Sequence, residues 1–167
     1  MANTKKQTLG DLANDVGSRG ENMAELALTS FKSFPKPLFR IARLGEKWPT
    51  TDFYAEIKGQ TKGIPAALFQ IKTPINGLAS GSGAIHVHLP KADVLRLSKH
   101  PLPAYLLGVC HKSQRVFIRA IPKTRKNGIA RIPITHELLE PNVKVLRDEI
   151  LTYWSSHVPP NLNSKFP

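Results

Sequence analysis

The sequence predicts an α/β fold in which a central mixed β-sheet is flanked by helices. Two observations predict helices near the ends of the chain: apolar side chains recur at helical spacing in residues 18–31 and again in residues 143–157. A third observation predicts the sheet, because short apolar or alternating segments of strand length lie between them, separated by turn residues and one short helix. This order of elements is typical of a sheet covered by helices.

The N-terminal region is polar and weakly patterned. Residues 1–17 are predicted to be a flexible arm, and a helix is expected to begin at Ser18, since Ser18 and Glu21 have the spacing of a capping box. Glu21 and Glu25 lie at the rim of its apolar stripe, where a carboxylate is either solvated or leans over the edge of a sheet. Residues 18–157 are predicted to form a single domain, followed by a C-terminal tail at 158–167.

Three strands are predicted after this first helix, at residues 38–44, 52–58 and 66–73. The second alternates apolar and polar side chains, as a half-buried strand does, and begins at Asp52. The third is almost entirely apolar and should be buried on both faces, yet it carries Gln70 and Lys72 on one of them. Because an unpaired buried charge is costly, Lys72 needs a nearby carboxylate. Asp52 is the obvious candidate, either in a structural ion pair or in a functional site.

Two histidines and a basic segment mark the second half of the chain. His86 and His88 share one face of a strand at residues 85–89, where a polar strand face is favoured over a metal site because no third ligand is near. After a short helix beginning at Pro90, residues 104–110 and 115–121 are predicted to pair as a hairpin. The segment KTRKNGIAR then follows, and it is either a phosphate-contacting loop or an ordinary solvated hairpin end. Its basic side chains are Lys123, Arg125, Lys126 and Arg131.

Composition narrows the classes of function. The formal net charge is +12 and the pI is near 10.1, which favours a polyanionic partner, nucleic acid ahead of an anionic membrane. The chain has no apolar run long enough to cross a bilayer and no apolar N-terminal signal segment, so we expect a soluble cytoplasmic protein. The single cysteine, Cys110, excludes an internal disulfide framework and lies in an apolar run, where inert packing is expected.

The order of these residues resembles the PD-(D/E)XK nuclease superfamily. Its pattern appears as a helix with Glu25, then Asp52 at the start of a strand, then Gln70 and Lys72 on the next. The chain looks most like the Mrr-like restriction endonucleases, which have Gln in the middle acidic position. The strings RGENMAELAL, FQIKTP and LSKHPLPAYLLGVCHKSQRVFIRAI, with the D-x-x-x-E of Asp52 and Glu56, also resemble the bacterial domain-of-unknown-function family 4365 across residues 19–121. Thr50-Thr51 depart from this pattern, since relatives often approach the aspartate through a glycine.

This resemblance implies a restriction-endonuclease-like core and a Mg²⁺ site, with Mn²⁺ as a substitute. The implied metal ligands are Asp52, the amide oxygen of Gln70, the backbone carbonyl of Ile71, and Glu25 directly or through water. Lys72 would orient the attacking water or stabilise developing charge. Glu56 lies roughly 13 Å further along the strand and is not expected to be a ligand.

The sequence therefore predicts a Mg²⁺-dependent DNA endonuclease, and by analogy a role in bacterial defence, restriction or a mobile element. The alternative is a binding module with the same fold and a degenerate site, contacting DNA or a protein without cutting. A nuclease or toxin acting on RNA is a weaker third interpretation, because no strand face is rich in aromatic residues. Cleavage of both strands would need two active sites, which favours a homodimer or a larger nuclease assembly.

Overall fold

The first helix is longer than the sequence patterns indicate. In the computed structural model, which describes residues 8–45, 48–61 and 63–157, helix α1 spans Leu9–Leu28. The predicted start at Ser18 was wrong, because the capping box is formed by Thr8 and Asp11. Each of these residues accepts the other's backbone N–H at 3.1 Å. Residues 9–17 of the predicted arm are thus helical; residues 1–7 and the predicted tail at 158–167 lie outside the described residues.

The remaining elements follow in the predicted order, apart from β7, to which the sequence patterns assigned no strand, and the central mixed sheet flanked by helices is confirmed. They are β1 (Phe39–Arg43), β2 (Phe53–Ile57), β3 (Ala66–Lys72), β4 (Ala84–Leu89), α2 (Lys91–Lys99), β5 (Ala104–Cys110), β6 (Arg115–Ala120), β7 (Ile129–Pro133) and α3 (Glu140–Ser156). A five-stranded sheet has the order β1-β2-β3-β5-β6. Its β3–β5 pair is parallel, and its other pairs, including the predicted β5–β6 hairpin, are antiparallel.

The two faces of this sheet are covered differently. Helices α1 and α3 pack on one face, in an apolar cluster that includes Leu28, Phe69, Ile71 and Ile150. The other face is covered by α2 and by the antiparallel pair β4 and β7, here called the β4–β7 ribbon, in a cluster that includes Leu68. Strand β3 is therefore buried on both faces, as its nearly continuous apolar sequence predicts. Within the described ranges, no helix is long and apolar enough to span a bilayer.

The basic segment before β7 is not a hairpin end. Strand β7 pairs with β4, while β6 pairs with β5, so the segment crosses from one sheet to the other. A turn closes between Pro122 and Arg125 instead of at Asn127-Gly128, with the Arg125 N–H donating to the Pro122 carbonyl at 2.9 Å. The physical reason is burial: β7 covers the sheet with Ile129 and Ile132, which a solvated hairpin would leave exposed.

Gly108 in β5 fixes how closely the β4–β7 ribbon approaches the sheet. A Cβ atom at this position would lie 2.9 Å from Ile85 Cγ2 and 3.0 Å from Ile132 Cδ1, both of which belong to the ribbon. A Cβ atom here would force these two side chains to shift, so glycine favours the close approach. The ribbon is therefore held directly against the centre of the sheet, next to the C-terminal end of β3.

Candidate functional site

Asp52 lies immediately before β2, and its backbone is fixed on both sides. Its N–H donates to the Phe69 carbonyl at 2.9 Å, and its carbonyl accepts from the Leu44 N–H at 2.9 Å. Thr50 precedes it with φ of 77°, in the left-handed region that favours glycine and is unusual for a β-branched residue. The chain thus turns sharply into Asp52 and delivers its carboxylate to the end of β3 at some cost in backbone strain.

The Asp52 carboxylate meets Gln70 and the backbone of Ile71. Its Oδ2 accepts from the Ile71 N–H at 2.5 Å and from the Gln70 Nε2 at 2.6 Å. The same Gln70 amide nitrogen lies 3.3 Å from the Ile71 carbonyl oxygen. Gln70 is only 5% exposed, so these partners satisfy an otherwise buried amide. Three of the predicted metal ligands, Asp52, Gln70 and the Ile71 carbonyl, therefore lie together.

Lys72 lies on the same face of the sheet as Gln70. Phe69 and Ile71 contribute to the cluster under α1 and α3, whereas Leu68, and by alternation Gln70 and Lys72, face the β4–β7 ribbon. The positive charge of Lys72 acts on Asp52 and lowers its pKa, although burial outweighs that effect. In the part of the chain that the structure describes, Lys72 and Asp52 do not form a direct ion pair. The structural ion pair considered from the sequence is thus not present there.

The helical carboxylate acting on Asp52 belongs to Glu21 rather than Glu25. Glu25 Oε2 accepts from Arg43 Nε at 2.8 Å and from Arg43 Nη2 at 2.5 Å, and the same Nη2 donates to Asn22. The negative charge of Glu21, one turn earlier, instead raises the pKa of Asp52. Glu21 was set aside in the sequence because it was assigned to a cap, but it lies in the interior of α1, where that cap does not exist.

Gly20 holds α1 against the end of β3. A Cβ atom on Gly20 would lie 1.8 Å from Thr73 Oγ1 and 2.8 Å from Thr73 Cβ, so no other residue fits at this contact without movement. The residue after Gly20 is Glu21, and the residue before Thr73 is Lys72. This close approach therefore sets the separation of the helical acid from the residues at the end of β3.

Burial is the main reason why the pKa of Asp52 is raised. Removal from water raises the pKa of its carboxyl, and the Glu21 charge raises it further. The Ile71 N–H and the Lys72 charge oppose this rise but do not cancel it. A desolvated carboxyl beside a second acid is an arrangement that a bound cation would stabilise, since it would compensate both negative charges.

The chemistry of these donors fits a magnesium ion better than a soft metal. No group of three His, Cys, Asp or Glu side chains suited to a metal occurs within the described ranges. The available set is instead two carboxylates, Asp52 and Glu21, with the Gln70 amide and the Ile71 carbonyl. All of these ligands are oxygens once the Gln70 amide turns over, so that Oε1 takes the place that Nε2 now occupies beside Asp52 and the Ile71 carbonyl, and Mg²⁺ prefers such ligands.

Two of the four basic side chains in the segment bond to backbone carbonyls, and one of them, Lys123, is itself exposed. Lys123 Nζ donates to the carbonyls of His100 and Leu102, the latter at 2.8 Å, and burial lowers its pKa. Arg125 donates to the carbonyls of Asn127 at 3.1 Å and Gly128 at 3.0 Å, so it holds the loop in shape. Lys126 and Arg131 are exposed. Charge density alone could not separate these two roles.

A groove beside Lys72 includes residues that the sequence did not connect with the site. Its volume is about 410 Å³, and it lies between Lys72, Thr73 and Pro74 on one side and His86, Val87 and His88 on the other. The two histidines are exposed, as the alternation of β4 predicts. Their proximity to Lys72 depends on the packing of β4 over β3, which the sequence does not encode locally.

No protein-family model, no curated protein and no solved structure matches this chain.

Proposed function

We propose that the chain is a Mg²⁺-dependent DNA endonuclease of the PD-(D/E)XK type, with a restriction-endonuclease-like core and a relationship to the domain-of-unknown-function family 4365. The observation that carries the proposal is the convergence of Asp52, Gln70 and the Ile71 backbone at the end of β3, with Lys72 on the same face. The net charge of +12 supports a polyanionic substrate.

Each residue has a role that its position supports. Asp52 and Glu21 would supply the charged ligands, with Glu21 in place of the Glu25 expected from the sequence, and the Gln70 amide oxygen and the Ile71 carbonyl would complete the protein's share. The ion, when bound, would polarise the phosphoryl oxygens and make a bound water acidic. The Ile71 N–H keeps Asp52 oriented, because it donates to Oδ2 at 2.5 Å. Lys72 supplies a positive charge near Asp52 for the attacking water or the developing phosphoryl charge.

The proposed setting is bacterial defence, restriction or a mobile element, in the cytoplasm, by analogy with the family that the sequence resembles. A homodimer or a larger nuclease assembly would supply a second active site for the opposite strand.

The test is nicking of supercoiled plasmid DNA in Mg²⁺ or Mn²⁺. Asp52→Asn and Lys72→Met should each remove nicking. Each variant has a matched control, in which a residue of the same type elsewhere in the chain is replaced. Glu56→Gln changes an acid that pairs with Arg40 at 3.6 Å, and Lys144→Met changes an exposed lysine of α3. Nicking that survives in Asp52→Asn, or that needs no divalent cation, would overturn the proposal.

One observation favours a second candidate, a DNA-binding module that does not cut. The Gln70 amide already donates to Asp52 at 2.6 Å and lies 3.3 Å from the Ile71 carbonyl, so these polar groups satisfy one another without an ion. This candidate predicts salt-sensitive DNA binding by the parent protein with no nicking in either metal. The plasmid assay, run beside a binding assay, separates the two.

A further inference from the structure

The outward face of the β4–β7 ribbon carries only neutral and basic polar groups. His86 and His88 are exposed on β4, while Ile85, Val87 and Leu89 between and beside them are buried. In the register of the ribbon, His86 lies opposite Arg131 of β7, so the two side chains share a face. Neither strand contains an acidic residue, their sequences being AIHVHL and IARIP.

This outward face continues into the proposed active site. The groove of about 410 Å³ is bounded on the ribbon side by His86 and His88 and on the sheet side by Lys72 and Thr73. Gly108 permits the contact that holds the ribbon against the sheet, so the distance across the groove is set by packing rather than by a loop. Lys72 and the two histidines therefore line the groove, and Arg131 lies beside His86 on the neighbouring strand β7.

The chemistry of this path suits a phosphate backbone. Lysine and arginine are cationic, and a histidine ring donates at least one N–H to an oxygen in either protonation state. Phosphate oxygens accept such bonds, and a row of them spaced along a strand would meet donors in succession. A metal is less suitable, because the H-x-H pair has no third ligand of the usual kind among the described residues.

We propose that the outward face of the β4–β7 ribbon, through His86, His88 and Arg131, holds the phosphate backbone of duplex DNA and directs it along the groove to Lys72. This inference rests on the proposed function for the choice of DNA as the ligand. It moves the main DNA-contacting surface away from Lys123 and Arg125 of the basic segment, whose donors are engaged with backbone carbonyls.

The experiment measures binding to a short fluorescein-labelled DNA duplex by anisotropy, in EDTA so that binding is separated from cutting. The ribbon variants are His86→Ala with His88→Ala, and Arg131→Ala alone. The matched control is His136→Ala with His157→Ala, which removes two other exposed histidines and has the same formal charge as the ribbon double variant. Circular dichroism of each variant shows whether the fold is retained.

We expect the ribbon double variant to raise the Kd by about five- to tenfold, the loss of one to two ordinary hydrogen bonds, with no change in the control. Arg131→Ala should also reduce the slope of log K against log salt by about one, as loss of a single phosphate contact does. Folded ribbon variants that bind like the parent would overturn the inference. An RNA duplex of the same sequence that binds more tightly and shows the same losses would overturn the choice of DNA.

Failure of the nuclease proposal is distinguishable from failure of this one. A parent protein that never nicks plasmid but loses DNA binding in the ribbon variants supports the ribbon and overturns the enzyme. A parent that nicks DNA, with ribbon variants that nick and bind equally well, supports the enzyme and overturns the ribbon.

Discussion

Replacing Gly20 by alanine should separate α1 from the end of β3 and disturb the site. The new Cβ would lie 1.8 Å from Thr73 Oγ1, 2.8 Å from Thr73 Cβ and 2.9 Å from Thr73 Cγ2, where ordinary contacts are 3.4–4 Å. Rotation of the Thr73 side chain relieves the first contact but not the second, because Cβ is fixed to the backbone. The helix must therefore retreat, and overpacking of this kind costs about 1–3 kcal/mol.

Gly17 provides the matched control on the same helix. A Cβ atom at Gly17 meets nothing within 4 Å, so Gly17→Ala gains helix propensity without a clash and should stabilise by about 0.5–1 kcal/mol. Thermal unfolding should move in opposite directions for the two variants, by about 2–4 °C per kcal/mol for a chain of this size. Adding Thr73→Ala to Gly20→Ala removes two of the three contacts and should restore part of the loss.

The assay is calorimetry of the four proteins, with plasmid nicking measured below their unfolding temperatures. We expect Gly20→Ala to lose nicking while still folded, because the contact that it disrupts positions Glu21 relative to Asp52. A Gly20→Ala variant as stable as Gly17→Ala would refute the close approach. A destabilised variant that nicks at the parent's rate would refute the link from this approach to the site.

The remaining predictions concern the carboxylates and the strained turn. Glu21→Gln should reduce Mg²⁺-dependent nicking at least about tenfold, as loss of support for a metal ligand does. Glu25→Gln should leave nicking intact, and in chemical denaturation it should lower the free energy of unfolding only by the value of a surface ion pair, about 0–1 kcal/mol. Since folding raises the pKa of Asp52, its ionised form opposes folding. The free energy of unfolding therefore falls as the pH rises from the pKa of Asp52 in the unfolded protein through its pKa in the folded protein. In urea titrations without metal, Asp52→Asn should therefore have a higher free energy of unfolding than the parent at neutral pH, and this difference should narrow towards pH 4. Added Mg²⁺ should stabilise the parent and remove the difference. A difference that does not depend on pH contradicts this reasoning. Thr50→Gly should stabilise by about 1 kcal/mol in the same titrations, because its φ of 77° strains a β-branched residue, and an unchanged or lower midpoint would show that the turn carries no such strain.

Local periodicity identified these strands because the pattern of apolar residues in each depends on how many of its faces are buried. The alternation of residues 53–57 and the unbroken apolar run of 66–71 reflect one buried face and two, and the structure has both. The same parity places Gln70 and Lys72 on one face of β3. The start of α1 was missed because exposed Leu9 and Leu12 obscure the stripe, while Thr8 and Asp11, which cap the helix, form a box without the usual Glu.

The sequence by itself determined the order of helices and strands, the face shared by Gln70 and Lys72, and the strong positive charge, since these depend on neighbouring residues or on composition. The tertiary structure alone brought the charge of Glu21 to act on Asp52 while Glu25 pairs with Arg43, joined β7 to β4 rather than β6, and placed His86 and His88 at the groove of Lys72. These relations join residues far apart in the chain, and they are settled by close packing at Gly20 and Gly108, where the absence of a side chain brings distant segments together.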